Sequence, residues 1–188
     1  KAEQESRIES ELKGLKAILG DIIYSEKDDT LESAVGDLLK AYGKTLSTAE
    51  SCTGGMISSL ITSVPGSSEY FLGSVTSYAN GVKENVLGVP AEIIAEHGAV
   101  SSECVAAMAE GVRRITSSDY SVATSGIAGP GGGSEEKPVG TVWIGVSSDN
   151  GTETFRLKFN SDRKRNIERF SSSALHILLN KIKKELNN

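Results

Sequence analysis

The chain has 188 residues, 38% of them hydrophobic and 24% charged, which suits one globular domain with an appendage and not a disordered chain. A formal net charge of −5 and a pI of about 5.2 give no global field for a polyanion. They argue against nucleic acid as the main ligand but leave a small anion free to use one local cationic pocket. Two cysteines, Cys52 and Cys104, are too few for a secreted disulfide scaffold and favour a reducing, cytoplasmic compartment, and no apolar run approaches a membrane span.

The start, Lys1-Ala2-Glu3-Gln4, has no signal-peptide core and no initiator Met, so it reads as a processed start or a piece of a longer chain. From Gln4 to Ile22 the apolar residues Ile8, Leu12, Leu15, Leu19 and Ile22 recur at helical spacing. A polar break over Ser25-Glu26-Lys27-Asp28-Asp29 follows. A second helix is predicted from Thr30, with Leu31, Val35, Leu38, Leu39 and Tyr42 on one face and Gly43 as its stop. Residues 1–29 are thus expected to be a helical arm, and 30–188 the main domain.

The spacing then predicts a strand over Thr45–Thr48, a turn through Ala49–Gly55, and a helix to about Ser63 that Pro65-Gly66 stops. Tyr70–Tyr78 is strand-rich. Helices are predicted over Pro90–Glu96 and over Ser102–Ile115, the latter N-capped by Ser101. Tyr120–Thr124 reads as a strand and Gly126–Pro138 as a glycine-dense loop. Val139–Ser147 and Thr152–Phe159 are β-rich runs joined by the hairpin signal Asp149-Asn150-Gly151. A last helix starts near Asp162, with Ile167, Phe170, Ala174, Leu178 and Ile182 as its stripe. The alternation implies an α/β layered fold with a mixed sheet flanked by helices.

Several short patterns mislead. Gly43-Lys44-Thr45 is no P-loop, because Leu38 stands where the first glycine belongs and the tripeptide follows a helix. Gly126-Ile127-Ala128-Gly129 lacks dinucleotide-fingerprint spacing. Ser161-Asp162-Arg163-Lys164 and Ser148-Asp149-Asn150 match fragments of the penicillin-binding signature, but in the reverse order and without its third motif. The histidines are His97 and His176. No paired histidines or clustered cysteines suggest zinc, so neither metal nor cofactor is expected.

Chemistry concentrates in Thr48-Ala49-Glu50-Ser51-Cys52-Thr53-Gly54-Gly55, with hydroxyls and glycines at a strand-to-helix junction. Such a turn can expose a nucleophile beside unsatisfied N–H groups that receive an oxyanion. The same residues also suit a plain helix cap through Ser51 or Thr53. Cys52 as nucleophile and His97 as base are alternatives that spacing leaves open.

Ala49–Gly55, Ser77-Tyr78-Ala79-Asn80 with Lys83 shortly after, Ser125–Gly133 and Lys137–Trp143 together resemble the C-terminal domain of the competence-damage-inducible protein CinA. Ser161-Asp162-Arg163 resembles the same family, which usually has glycine where this chain has Ser161. The resemblance covers about Thr30 to Asn188. It implies a nicotinamide-nucleotide amidohydrolase that converts nicotinamide mononucleotide and water to nicotinate mononucleotide and ammonia, with a pyridine nucleotide as small-molecule partner. On this resemblance the nucleophile falls on Ser51, with Tyr78 and Lys83 beside it. The loop hydroxyl falls on Ser125 and the arginine on Arg163, with Arg165 and Arg169 close by.

A neutral serine is a poor nucleophile, and Lys83 is the best base on offer. Tyr78 would orient Lys83 or relay its proton, and backbone around Cys52, Thr53, Gly54 and Gly55 would hold the oxyanion. Gly126 and Gly129 would let backbone approach phosphate or ribose, and Arg163 would grip phosphate. A binding module that holds the nucleotide without turnover is the rival reading. The resemblance further implies a preceding domain similar to molybdopterin-binding proteins in a longer protein, and it leaves a homo-oligomer open.

Overall fold

A computed structural model describes residues 2–20, 23–25 and 29–186. It begins with α1 (Ala2–Leu19), whose apolar stripe is exposed, Ile8 and Leu15 by 59% and 48%. Ile22, the last residue of the expected stripe, and residues 26–28 of the polar break lie outside the described residues. Helix α2 (Leu31–Ala41) starts on Thr30, whose side chain accepts from the Ser33 N–H. Next come β1 (Leu46–Glu50), α3 (Met56–Thr62), β2 (Phe71–Thr76), α4 (Asn80–Asn85), α5 (Ala91–His97), α6 (Ser102–Thr116) and β3 (Tyr120–Gly126). The hairpin β4 (Thr141–Ser148) and β5 (Gly151–Lys158) and the long α7 (Arg163–Leu186) complete the chain.

The strands form one sheet in the order β2-β1-β3-β4-β5. The first three are parallel, with Glu50 level with Thr76 on one side and Thr124 on the other. Strands β4 and β5 add antiparallel. The sheet is therefore mixed, as the alternation of elements implies. Side chains alternate across each strand, so the two sheet faces gather two cores. Val122, Val142, Ile144 and Val146 pack with Val35 and Leu39 of α2, Ile57 and Ile61 of α3, and Phe170, Ala174 and Leu178 of α7. Ala49 and Ala123 face the other way, onto Cys104, Val105, Met108 and Val112 of α6 and onto Leu87 and Val89. Helices thus cover both faces. Among the described residues no helix is long and apolar enough to cross a membrane.

Observed elements match the expected ones within a few residues, apart from a single 3-10 turn over Ser67–Glu69 and one short helix. Helix α4, absent from the reading of the sequence, has only six residues, too few for a helical period to show. It sits against α6 through Leu87, which follows it. At Gly111 of α6 an added Cβ would overlap the Leu87 carbonyl, so only glycine lets α6 approach that closely. We expect Gly111→Ala to lower the free energy of unfolding by about 1–3 kcal/mol, the usual cost of overpacking. A reduced urea midpoint at unchanged slope would show it.

Candidate active site

Strand β1 lies between β2 and β3, so the chain leaves it towards one neighbour and returns to the other. Such a reversal opens a crevice outside the carboxyl ends of the parallel strands. Three chain segments enter it: Ser51 after β1, Ser77 and Tyr78 after β2, and Gly126 at the end of β3. Main-chain bonds join these ends. Ser51 N–H donates to Thr124 O at 3.0 Å, and Ser77 N–H donates to Glu50 O at 2.8 Å.

After Ser51 the chain makes a tight turn into α3. Gly54 N–H donates to Ser51 O at 3.2 Å and Met56 N–H to Thr53 O at 3.1 Å. Gly54 and Gly55 have φ of 62° and 101°, conformations that favour glycine and explain the pair. The Glu50 side chain is fully buried and lies beneath this turn. Its Oε2 accepts from Thr53 Oγ1 at 2.8 Å, Gly55 N–H at 3.0 Å and Ile57 N–H at 3.0 Å, and its Oε1 accepts from Ser58 N–H at 2.8 Å. With its proton on Glu50, Thr53 Oγ1 accepts from Thr124 Oγ1 at 2.8 Å.

This geometry narrows the expected oxyanion donors. The Gly54 and Gly55 N–H groups are already engaged, by Ser51 O and by Glu50. Among the described residues, the N–H groups of Cys52 and Thr53 donate to no carbonyl, carboxylate or hydroxyl. They are the candidate donors beside Ser51, and Cys52 lines the cleft.

Lys83, on α4, is 1% exposed. Its Nζ lies 3.1 Å from Ser51 Oγ, donates to Ser77 O at 2.6 Å, and is 3.5 Å from Tyr78 O. No carboxylate is among these partners. Burial pulls the amine below the ordinary lysine pKa of 10.5, while the Cys104 and Cys52 sulfurs pull the other way. Desolvation of this kind favours the neutral amine, the form that can act as a base.

The cleft around Ser51 holds about 170 Å³ and is lined by Ser51, Cys52, Tyr78, Gly126, Ala128 and Arg163. Arg163 opens α7. Its Nη1 donates to Gly129 O at 2.7 Å and its Nη2 to Tyr78 Oη at 3.2 Å. One turn on, buried Asn166 donates through Nδ2 to Ala128 O at 3.0 Å and Ser161 O at 2.9 Å. Of the three arginines weighed, Arg163 alone lines the cleft. Arg165 pairs with Asp162 at 3.6 Å, and Arg169 stacks over the Phe159 ring.

Other expected residues fall differently. The Tyr78 phenol, 64% exposed, turns to Arg163, so Tyr78 meets Lys83 only through its main-chain carbonyl. Ser125 lies outside the cleft lining and donates through Oγ to Ala99 O at 2.6 Å. Gly126 lines the cleft, yet the space its Cβ would take is filled by Thr141 O and Val142 Cα. Its glycine serves packing of β3 on β4. Gly129 is buried against Val139. Burial pushes the Cys52 thiol up to about 12, which makes it a poor nucleophile. His97 lines a separate surface hollow with Lys137 and Trp143. The reading of the sequence missed Glu50, Thr124, Ser77 and Asn166 as parts of the site. A carboxylate in the strand Leu46-Ser47-Thr48-Ala49-Glu50 was the one visible signal, because a charge there must find buried partners.

Lys83 also leaves a mark on stability. Its folded pKa is depressed and its unfolded value is ordinary, so between the two the unfolded chain binds more protons. Stability then rises with pH across that window. Compared with Lys83→Met, the protein should gain stability as pH climbs from the lowered folded value towards 10.5. Urea midpoints of both proteins across the alkaline range measure the difference. Parallel curves would show an unshifted lysine.

Comparisons with known proteins place the chain in a family. The family model described as CinA C-terminal domain matches residues 28–182. A CinA-like protein of Pseudothermotoga lettingae is 51% identical over 150 residues, which cover 80% of this chain and 37% of that protein. One of Parasynechococcus marenigrum is 53% identical over 142 residues, 76% of this chain and 34% of its own length. The chain thus spans little more than a third of these relatives. Among solved structures, a CinA superfamily protein from Klebsiella pneumoniae aligns with a TM-score of 0.79 at 34% identity, covering 82% of this chain and 96% of that one. The competence/damage inducible protein CihA from Agrobacterium tumefaciens gives 0.78 at 36%, covering 80% and 93%. With most of its length matched by the family model and its fold shared with these structures, the chain belongs to the CinA C-terminal domain family.

Proposed function

We propose that this domain hydrolyses the carboxamide of nicotinamide mononucleotide with Ser51 as nucleophile and Lys83 as base. The observation that carries the reading is the Lys83 amine, buried without a carboxylate and 3.1 Å from Ser51 Oγ. An ordinary lysine is neutral in only about 0.04% of molecules at pH 7, and the burial of Lys83 shifts it towards the neutral form. Neutral Lys83 takes the Ser51 proton as Oγ attacks the amide carbon. The Cys52 and Thr53 N–H groups receive the negative oxygen. Lys83 returns the proton to nitrogen as the C–N bond breaks and ammonia leaves. Water, activated by the same amine, then cleaves the acyl-Ser51 ester.

The choice of substrate rests on the family resemblance and on Arg163. A cleft of about 170 Å³ is smaller than the roughly 300–1,000 Å³ pockets that enclose whole ligands. It suits the carboxamide ring, with ribose and phosphate reaching the mouth. There Arg163 offers a guanidinium tied only to neutral oxygens, ready to exchange Tyr78 Oη for phosphate. Ser125 contributes indirectly, by tying β3 to the Ala99 segment. In a longer protein, residues 1–29 would link this domain to a preceding one.

Ammonia release tests the reading. Ser51→Ala should abolish it while changing nucleotide affinity by less than about tenfold, or 1.4 kcal/mol. Lys83→Arg should be nearly as inactive, since guanidinium keeps the charge but does not deprotonate. Binding without ammonia release from the parent protein would instead support a nucleotide-binding module.

Arg163→Ala should raise KM for the nucleotide far more than for the phosphate-free riboside, by the roughly 1.5–3 kcal/mol of a charge-assisted contact. Equal effects on both compounds would remove phosphate from Arg163.

A further inference from the structure

We propose that Glu50 is a positioning residue for this reaction, holding the Ser51–Gly55 turn through its carboxylate and, through its main-chain carbonyl, the Ser77 peptide that accepts from the Lys83 amine. The proposal rests on the Ser51–Lys83 reading above and adds to it a residue that never touches substrate.

A fully buried carboxylate is costly unless its oxygens are satisfied. Glu50 is 0% exposed, and the partners that hydrogen-bond its oxygens are four neutral donors: Thr53 Oγ1 and the N–H groups of Gly55, Ile57 and Ser58. A simple helix cap would engage one or two main-chain N–H groups. Glu50 engages three and, through Thr53, the turn before the helix as well. Two consequences follow for chemistry. By engaging Gly55, Ile57 and Ser58, the carboxylate takes those N–H groups out of reach of an oxyanion and leaves the Cys52 and Thr53 N–H groups as the candidate donors beside Ser51. By gripping Thr53 Oγ1, it sets the orientation of the peptide units that carry those donors.

The second arm runs through the main chain. Glu50 O accepts from Ser77 N–H at 2.8 Å, and Ser77 O accepts from Lys83 Nζ at 2.6 Å. Nucleophile turn and base are therefore referenced to one residue at the end of β1. Glutamine at position 50 would keep one acceptor oxygen but turn an NH2 group towards N–H donors, which loosens the turn without emptying the space.

The test follows Ser51 directly, with an alkyl fluorophosphonate. Its phosphorus bonds to Ser51 Oγ as fluoride leaves and Lys83 takes the proton. Labelling is followed by intact mass and located by peptide mapping, at a temperature where each variant is cooperatively folded. Glu50→Gln should slow labelling by about tenfold or more, as small misplacements do, and lower kcat for ammonia release in parallel while KM moves less than about threefold. Thr53→Val, which cuts the same link and keeps the carboxylate, should slow labelling by about threefold or more. The double variant should be no worse than Glu50→Gln, since both act through one network.

Labelling of folded Glu50→Gln at the parent rate would overturn the proposal, as would independent, multiplicative losses in the double variant. If Glu50→Gln fails to fold, Thr53→Val labelled at the parent rate overturns it alone. A parent protein that is never labelled at Ser51 would remove the nucleophile assignment itself, and this proposal with it.

Discussion

The site depends on keeping an amine out of water without giving it an anion. Lys83 is buried on a helix of six residues, which has little stability of its own. Its position comes from packing: Leu87, just beyond α4, is locked against α6 by the absence of a side chain at Gly111. An acidic neighbour would have stabilised the ammonium and raised its pKa. Instead the amine meets a hydroxyl and main-chain carbonyls. Those partners orient it and leave burial as the dominant influence.

Charge is handled differently at the end of β1. Glu50 is as buried as Lys83, but it is spread over four donors and sits beneath the turn that carries Ser51. The two buried ionisable groups thus have separate environments, one desolvated and one saturated with hydrogen bonds. Elsewhere a buried ammonium is stabilised in the ordinary way: Lys181 pairs with Glu153 and Glu185 at 2.8 and 2.9 Å, and its pKa is raised. The contrast between Lys181 and Lys83 separates a structural lysine from a candidate base within one chain.

The fourth wall of the cleft comes from the far end of the sequence. Arg163 and Asn166, one turn apart on α7, hold the carbonyls of Gly129 and Ala128. Arg163 also reaches Tyr78, joining α7 to the segment after β2. Phe170 and Leu178, farther along α7, are buried in the core, so the helix that shapes the mouth is anchored by the same apolar stripe that makes it a helix.

Much of this was legible in order of residues alone. Periodicity revealed α2, α6 and α7 because their apolar stripes run for three turns or more, and alternation with the Asp149-Asn150-Gly151 turn revealed the β4–β5 hairpin. The motif around Ser51 marked the turn that carries the candidate nucleophile, and Lys83 and Arg163 were picked out by matching motifs. Tertiary structure decided the rest, because it depends on distance between residues far apart in sequence. Lys83 and Ser51 are 32 positions apart, and only the reversal of strand order at β1 brings them together. That same folding turned Tyr78 towards Arg163, withdrew Ser125 to Ala99, and took the Gly55 N–H for Glu50. A hydroxyl or an N–H has many partners compatible with its sequence position, and packing selects among them by geometry that no local pattern encodes.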